Sequence, residues 1–312
     1  MTTAAAGRVG IDPAARPAAA EPQAPSRRGR ARGGWAWLGL TPFAAYVLLF
    51  LLLPTVLAIA SGLFDGAGRF TLENIAALGD PVILQTFWNS TWVSLLTAVL
   101  GAVVGALVCY AMLGLRETGF VRTTVDAASG VLAQFGGVML AFMWIATLGV
   151  QAGLVTQILK GVGIDIYSDG PWIYELGGLI PAYVTFQIPL MVITFFPALS
   201  ALKPQWVEAN LTLGGTRGSF WRHVGIPVLT PAFLASLLLL FANSFSSYAT
   251  AAALASQGAP IVPLQIRAAL TSETLLGRQN LAGALALGMI VVVAVVMWIY
   301  SLVQRRAARW QS

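Results

Sequence analysis

The sequence predicts an all-α integral membrane protein with six transmembrane helices and both termini in the cytoplasm. Only 10% of the 312 residues are charged, against about 25% in a typical soluble domain, and 57% are hydrophobic. Six apolar stretches each approach the roughly 20 residues that cross a bilayer core. Lys and Arg are unequally divided between the flanking segments. This composition excludes a soluble globular protein, which could not cover its surface with so few charges, and also a disordered one.

The apolar stretches predict helices, because the bilayer core holds no water to pair free backbone groups. The first stretch is longer than the apolar region of a signal peptide, and five more follow it. A retained helix is therefore predicted rather than a cleaved leader. The predicted spans run approximately from Trp37 to Phe64, Trp92 to Leu115, Ala127 to Val150, Leu176 to Leu199, Leu229 to Leu254 and Leu281 to Val303.

The chain is expected to have three parts. Residues 1–34 contain six Arg and two acids among Ala, Pro and Gly, which predicts a disordered, Arg-rich cytoplasmic tail. Residues 35–304 hold the six helices, and residues 305–312 form a short basic tail. The arginines within residues 27–32 suit either a nucleic-acid patch or a lipid-facing flank. Because they adjoin a membrane span, the lipid bilayer is the expected partner, and no nucleic acid is expected.

The distribution of positive charge predicts the orientation. With the N-terminus inside, the inner segments hold fourteen Lys and Arg residues, and the outer segments hold four. Cytoplasmic segments carry such an excess in membrane proteins. Both termini, and the loop between the fourth and fifth spans, are therefore predicted to be cytoplasmic.

The loop at residues 203–231 is the most informative part of the chain. Pro204 suits the first position of a helix and Glu208 an early turn, while the Gly214-Gly215 pair permits a sharp or left-handed turn. A second short helix is expected to end at Gly225, before two prolines direct the chain back into the membrane. An exposed apolar side on such a loop usually marks a docking surface. It is expected to comprise Trp206, Leu211, Phe220, Trp221 and Val224.

The spacing of this loop resembles the EAA loop of permease subunits of binding-protein-dependent ABC importers. That family's pattern is Glu-Ala-Ala, a Gly after three further residues, an aromatic residue, an apolar residue and a final apolar-Pro pair. Two positions depart from it: Asn210 stands where Ala is usual, and Gly215 where Ala commonly follows the Gly. The residues that match in register without a gap are Glu208, Ala209, Gly214, Trp221, Val224, Ile226 and Pro227.

The resemblance implies a type I ABC importer permease fold in a bacterial inner membrane. The implied partners are two ATPase subunits, a second permease, similar or identical, and an external solute-binding protein. The chain itself would be no enzyme and hold no cofactor, because ATP and Mg²⁺ would be bound by the ATPase. In agreement, neither Lys160 nor Lys203 lies in a P-loop pattern. The chain resembles permeases for polyamines, iron, sulfate or phosphonates more than those for sugars, and the sequence does not identify the solute.

Polar residues inside the predicted spans are candidates for a translocation pathway, because they are costly in lipid. The alternative for each is an interhelical hydrogen bond, which contributes about 1 kcal/mol. For Gly101-x-x-x-Gly105 in the second span, close helix packing is the prediction. The pathway candidates are Gln134 in the third span, Gln187 and Pro189 in the fourth, and Asn243, Ser244, Ser247 and Tyr248 in the fifth.

Two other classes of function are weighed against this one. A stand-alone secondary transporter or channel would also have six helices, but it would need an intramembrane ion or proton site, and no such chain of acids is evident. A membrane-embedded enzyme would need a catalytic constellation. One Cys, Cys109, and one His, His223, supply neither that nor a metal site.

Overall fold

A computed structural model describes residues 33–116, 118–255, 260–271 and 279–308. Most of the predicted N-terminal tail, up to residue 32, and the last residues from 309 lie outside these ranges. The chain divides into two compact units, Met1–Pro54 and Thr55–Ser312. All regular structure in the described ranges is helical, apart from one isolated β-bridge between Phe64 and Phe70. The predicted all-α class is confirmed.

The described part of the first unit is an apolar helical run. Helix α1 is Gly33–Tyr46, a π-helical segment follows at Val47–Leu52, and α2, Leu53–Ser61, begins before this unit ends. Phe43 and Phe50 are each 67% exposed. Lipid tails are as apolar as these side chains, so their exposure suits a bilayer.

The second unit contains the remaining helices. Helices α3 to α7 are Glu73–Ala76, Pro81–Leu113, Phe120–Leu132, Gly137–Leu148 and Leu154–Gly161. Helices α8 to α11 are Leu176–Ser200, Pro204–Thr212, Arg217–Phe220 and Ile226–Phe245. Helices α12 to α14 are Ala249–Leu254, Val262–Thr271 and Gln279–Ala308.

Among the described residues, five helical runs are long and apolar enough to cross a membrane, and a bent pair of helices would make six. The second run begins at Pro81 rather than near Trp92. It starts early because the Asp80 carboxylate accepts a hydrogen bond from the Val82 N–H at 2.8 Å, with Pro81 in the first turn. The five runs are Leu40–Ser61, Pro81–Leu113, Leu176–Ser200, Arg217–Phe245 and Asn280–Gln304.

The third predicted span is a bent pair and not one continuous helix. The chain bends by 107° between helices α5 and α6. Gly137, the first residue of α6, has a φ of +68°, which residues with a side chain rarely adopt. The prediction of one helix from Ala127 to Val150 is therefore wrong, because an average over apolar residues does not detect a local glycine pair.

The fifth predicted span is displaced toward the N-terminus. The helical run starts at Arg217 and ends at Phe245, where the polar residues 246–248 interrupt it before α12. A π-helical segment, Trp221–Gly225, joins α10 to α11. The wider π-turn lies just before Pro227, whose ring and missing N–H would disturb a regular α-helical turn.

The interior of the second unit is built on the packing of α4 against α8. Gly101 and Gly105 are buried on α4. A Cβ atom at position 105 would lie 2.5 Å from Met191 Cβ and 2.9 Å from the Ile188 carbonyl oxygen, both on α8. These distances leave no room for a side chain, in agreement with the packing role predicted for the two glycines.

Replacement of Gly105 by Ala should destabilise the protein by about 1–3 kcal/mol, because α4 and α8 must separate to admit a methyl group. The measurement is the thermal unfolding midpoint in detergent. Gly130→Ala is the matched control, since Gly130 also lies inside a helix but has open space around it. An unchanged midpoint for Gly105→Ala would contradict the close packing.

Candidate functional site

Two interrupted helices meet at a polar cavity in the second unit. One interruption is the bend between α5 and α6, and the other lies between α11 and α12. The cavity has a volume of about 290 Å³. We call it the polar cavity; its lining residues are Ala133, Gln134, Gly136, Gly137, Phe186, Asn243, Ser246, Ser247 and Thr250.

Local hydrogen bonds hold the second interruption in place. The Ser246 hydroxyl donates to the Ala242 carbonyl oxygen at 2.9 Å, and the Ser247 N–H donates to the Ser244 carbonyl oxygen at 3.1 Å. The Tyr183 hydroxyl, from α8, donates to the Ser247 carbonyl oxygen at 3.0 Å. The carbonyl oxygens of Ser244 and Ser247, at the end of α11, are therefore already paired.

The cavity offers several hydrogen-bonding groups that lack a fixed partner among the described residues. The first N–H groups of α6, like those of any helix, have no intrahelical acceptor, and no side chain caps them. Thr250 is fully buried, and its Oγ1 has no hydrogen-bond partner in the described part of the chain. None of the described residues that line the cavity is charged. Such a site suits a small polar ligand.

The structure brings together three of the seven predicted pathway residues. Gln134, Asn243 and Ser247 line the polar cavity. Ser246 and Thr250 belong to the same polar run as Asn243 and also line the cavity. Phe186, another lining residue, could not be selected from the sequence, because it is one apolar residue among many in its span. Two features of the sequence could have indicated the site itself. They are the Gly136-Gly137 pair in the third span and the polar run at residues 243–250.

The other four predicted pathway residues lie outside the lining. Gln187 is fully buried between α4 and α8, where its Nε2 donates to Thr97 Oγ1 at 3.1 Å. Pro189 is buried on the same helix. The Ser244 hydroxyl contacts the Ser94 carbonyl oxygen at 3.4 Å, and the Tyr248 ring lies under the guanidinium group of Arg267.

The loop at residues 203–231 forms the second part of the site. Helix α9 begins at Pro204 after Lys203 and ends at Thr212. Gly214 has a φ of +80°, so the turn after α9 is left-handed, as the glycine pair predicted. Thr216 then caps the next helix, since its Oγ1 accepts a hydrogen bond from the Ser219 N–H at 3.2 Å.

The second helix of the loop was predicted to end at Gly225, but it continues beyond this residue. It continues through the π-helical segment into α11, and Ile226 and Pro227 begin that helix. Phe220, predicted to be exposed, is buried, and Trp221 packs edge-on against Tyr110 of α4. These contacts fix the start of the helix against the rest of the second unit.

Glu208 lies beyond the first turn of α9, and its side chain is exposed. No hydrogen bond or ion pair of this carboxylate occurs among the described residues. It therefore does not cap its own helix.

An apolar groove lies between α9 and the beginning of the following helix. Its volume is about 370 Å³. Trp206 remains 39% exposed at its edge. We call it the loop groove; its lining residues are Trp206, Ala209, Asn210, Leu213, Val224 and Val228.

The two departures from the EAA pattern contact each other across the turn. Asn210 Nδ2 donates to the Thr216 carbonyl oxygen at 2.9 Å, and the Gly215 N–H donates to the Asn210 carbonyl oxygen at 2.9 Å. A Cβ atom at position 215 would lie 2.6 Å from both Nδ2 and Oδ1 of Asn210. The Asn210 side chain therefore occupies the space that an alanine methyl group would need.

Comparison with known proteins supports the resemblance. Residues 168–309 match the family of binding-protein-dependent transport system inner membrane components. Over 214 residues the chain is 25% identical to a probable ABC transporter permease protein, y4fN, of Sinorhizobium fredii. The aligned region covers 68% of this chain and 37% of that protein. Over 211 residues it is 23% identical to the ferric transport system permease protein FbpB of Actinobacillus pleuropneumoniae, which covers 65% of this chain and 29% of that protein.

The fold is also shared with a solved ABC importer. A chain of a bacterial ABC transporter involved in import of the acidic polysaccharide alginate superposes with a TM-score of 0.67 at 16% identity. The superposition covers 87% of this chain and 95% of that one. Residues 168–309 therefore match the inner membrane component family, and the fold is that of a type I ABC importer permease. The family recognised from residues 208–227 is confirmed.

A thiol placed at Ser246 should react readily with a small water-soluble maleimide, because this residue is exposed in the polar cavity. Ser244→Cys is the matched control, since Ser244 lies two residues away and is buried. Native Cys109 is buried too and should add little background. Equal labelling of positions 244 and 246 would contradict a water-accessible cavity on one side of this run.

Proposed function

We propose that this chain is the membrane-spanning permease subunit of an ATP-driven importer, and that the polar cavity forms part of its pathway for a small polar solute. One observation carries the proposal. A continuous helical run, Arg217–Phe245, starts at the EAA-like loop and ends at the polar cavity. At about 1.5 Å per residue, these 29 residues extend about 43 Å, enough to connect one side of a bilayer with its interior.

The proposed partners follow from the family and from the loop. Two ATPase subunits would dock on the exposed residues of α9 and would bind ATP and Mg²⁺, so this chain would catalyse no reaction. A second permease would complete the pathway, and an external binding protein would deliver the solute. The exposed Glu208, which has no partner in the described chain, would meet a cation on the ATPase.

The proposed location is a bacterial inner membrane, with both termini and the loop at residues 203–231 in the cytoplasm. The excess of Lys and Arg on that side supports this orientation. The loop then lies where an ATPase has access to ATP.

The polar cavity supports a solute that accepts hydrogen bonds. Free donors at the start of α6 and at Thr250 favour acceptor atoms such as those of sulfate or phosphonate groups. A polyamine would instead need carboxylates, and none is among the described lining residues. A stand-alone secondary transporter or channel, the alternative function, gains no support from this uncharged lining.

Replacement of Asn243 by Leu should lower ATP-driven uptake by about tenfold, because it removes one polar group from the pathway. The solute is first identified as the ligand that stabilises the cognate binding protein against heat. Gln187→Leu is the control: Gln187 also lies in a span but packs against Thr97 away from the lining, so uptake should stay near the normal rate. The reverse order of effects would contradict the assigned pathway.

Glu208→Ala combined with Gly214→Val should weaken co-purification of the ATPase and abolish uptake. A β-branched residue in the left-handed conformation of Gly214 costs about 1–2 kcal/mol, and the alternative backbone would redirect α9. Gly163→Val is the control for strain alone, because Gly163 has a φ of +85° with open space in a loop predicted to lie outside. Normal uptake by the double variant would refute the coupling role of the loop.

A further inference from the structure

We infer that Asn210 is a positioning residue that braces the turn between α9 and the helix Arg217–Phe245, so that the two elements move together. The inference rests on the proposed coupling function of the loop. It assigns a role to the two residues by which this loop departs from the EAA pattern, Asn210 and Gly215.

The turn is flexible by composition. Gly214 and Gly215 follow one another between the two helices, and neither has a side chain to restrict the backbone. A hinge of this kind would absorb part of any displacement of α9. ATP hydrolysis would then move α9 without moving the helix that ends at the polar cavity.

The Asn210 side chain closes this hinge. It extends from the last turns of α9 and donates its hydrogen bond to the carbonyl oxygen of Thr216 at 2.9 Å. Thr216 is the residue whose side chain caps the next helix. The brace therefore links the body of α9 directly to the N-terminus of the long helix and bypasses both glycines.

Gly215 makes the brace possible. A Cβ atom there would lie 2.6 Å from both terminal atoms of the Asn210 amide. An alanine would have to displace the Asn210 side chain, which would break its bond to Thr216. With alanine at position 210 instead, the space beside position 215 would be empty and could hold a methyl group. Asn210 and Gly215 are thus complementary in size. Alanine at both positions would also fit this space.

The brace also shapes the loop groove. Asn210 lines this groove together with Trp206 and Ala209 of α9 and with Val224 and Val228 of the following helix. Because the groove is formed by both sides of the hinge, its width depends on the angle that the brace maintains.

The experiment uses the complete complex of this chain with its second permease and its ATPase, with Ser246→Cys as reporter. The rate of maleimide labelling at position 246 is measured without nucleotide and with ATP trapped by vanadate, which needs no knowledge of the solute. ATP hydrolysis is measured on the same samples. The variants are Gly215→Ala, Asn210→Ala and Asn210→Ala/Gly215→Ala.

Each single variant should reduce the vanadate-induced change in labelling by about fivefold, the effect of one lost hydrogen bond, while ATP hydrolysis continues. The double variant should show no further reduction than either single variant, because both single changes remove the same hydrogen bond. Loss of stability alone would not reproduce this pattern, because it would lower hydrolysis and labelling together.

The inference is overturned if Gly215→Ala leaves the change in labelling intact, or if the reductions of the two single variants add up in the double variant. Gly214→Val separates this failure from that of the proposed function. If Gly214→Val abolishes the change while Gly215→Ala and Asn210→Ala do not, the brace alone is refuted. If Gly214→Val also leaves the change intact, coupling through the loop is refuted, and the brace with it.

Discussion

The unbroken helical run from Arg217 to Phe245 is the feature on which the proposed mechanism depends. Its first turns are fixed by the Thr216 cap, by the buried Phe220 and by Trp221 against Tyr110. Its last turn ends at the polar cavity. Because a helix is stiff along its axis, a displacement imposed on the loop reaches the cavity without a separate signalling element. The π-helical segment before Pro227 allows the chain to pass two prolines without interrupting this connection.

The polar cavity exists because two helices are interrupted at the same place. Backbone groups in a membrane must be paired, so an interruption is tolerated only where protein or a polar cavity surrounds it. Here the Ser246 hydroxyl and the Ser247 N–H pair carbonyl groups at the end of α11, and Tyr183 pairs that of Ser247. The start of α6 has no side-chain cap. The N–H groups at this start are the basis of the proposal that the solute carries acceptor atoms.

Composition and charge were sufficient to predict the helical membrane fold, and the spacing from Glu208 to Pro227 was sufficient to predict the family. Each of these signals depends on many residues together, so a departure at one position does not hide it. The bend at Gly136-Gly137 was missed because it depends on two residues within an apolar stretch. The start of the second helix was missed because polar residues, at positions 85, 86 and 89–91, interrupt the apolar residues between the Asp80 cap and Trp92. Gln187 was selected as polar and intramembrane, but only the packing of α4 on α8 distinguishes a buried interhelical hydrogen bond from a pathway contact.

Asn210 and Gly215 illustrate a further limit of sequence reasoning. Taken one at a time, they are two small departures from a pattern, and Asn210 slightly weakens a helix. Their complementarity depends on the left-handed turn at Gly214, which brings position 215 against the side chain at position 210. A one-dimensional pattern does not contain that contact.

The central claim, that the loop and the helix Arg217–Phe245 move as one body, is tested most directly by a distance within a single chain. Spin labels are placed at Gln205 on α9 and at Ser246 at the cavity, both exposed, in the complete complex. Pulsed electron paramagnetic resonance then compares the nucleotide-free state with the vanadate-trapped ATP state. We predict the same distance distribution in both states. A shift of several ångströms on trapping would show that α9 moves independently of the helix and would contradict the account.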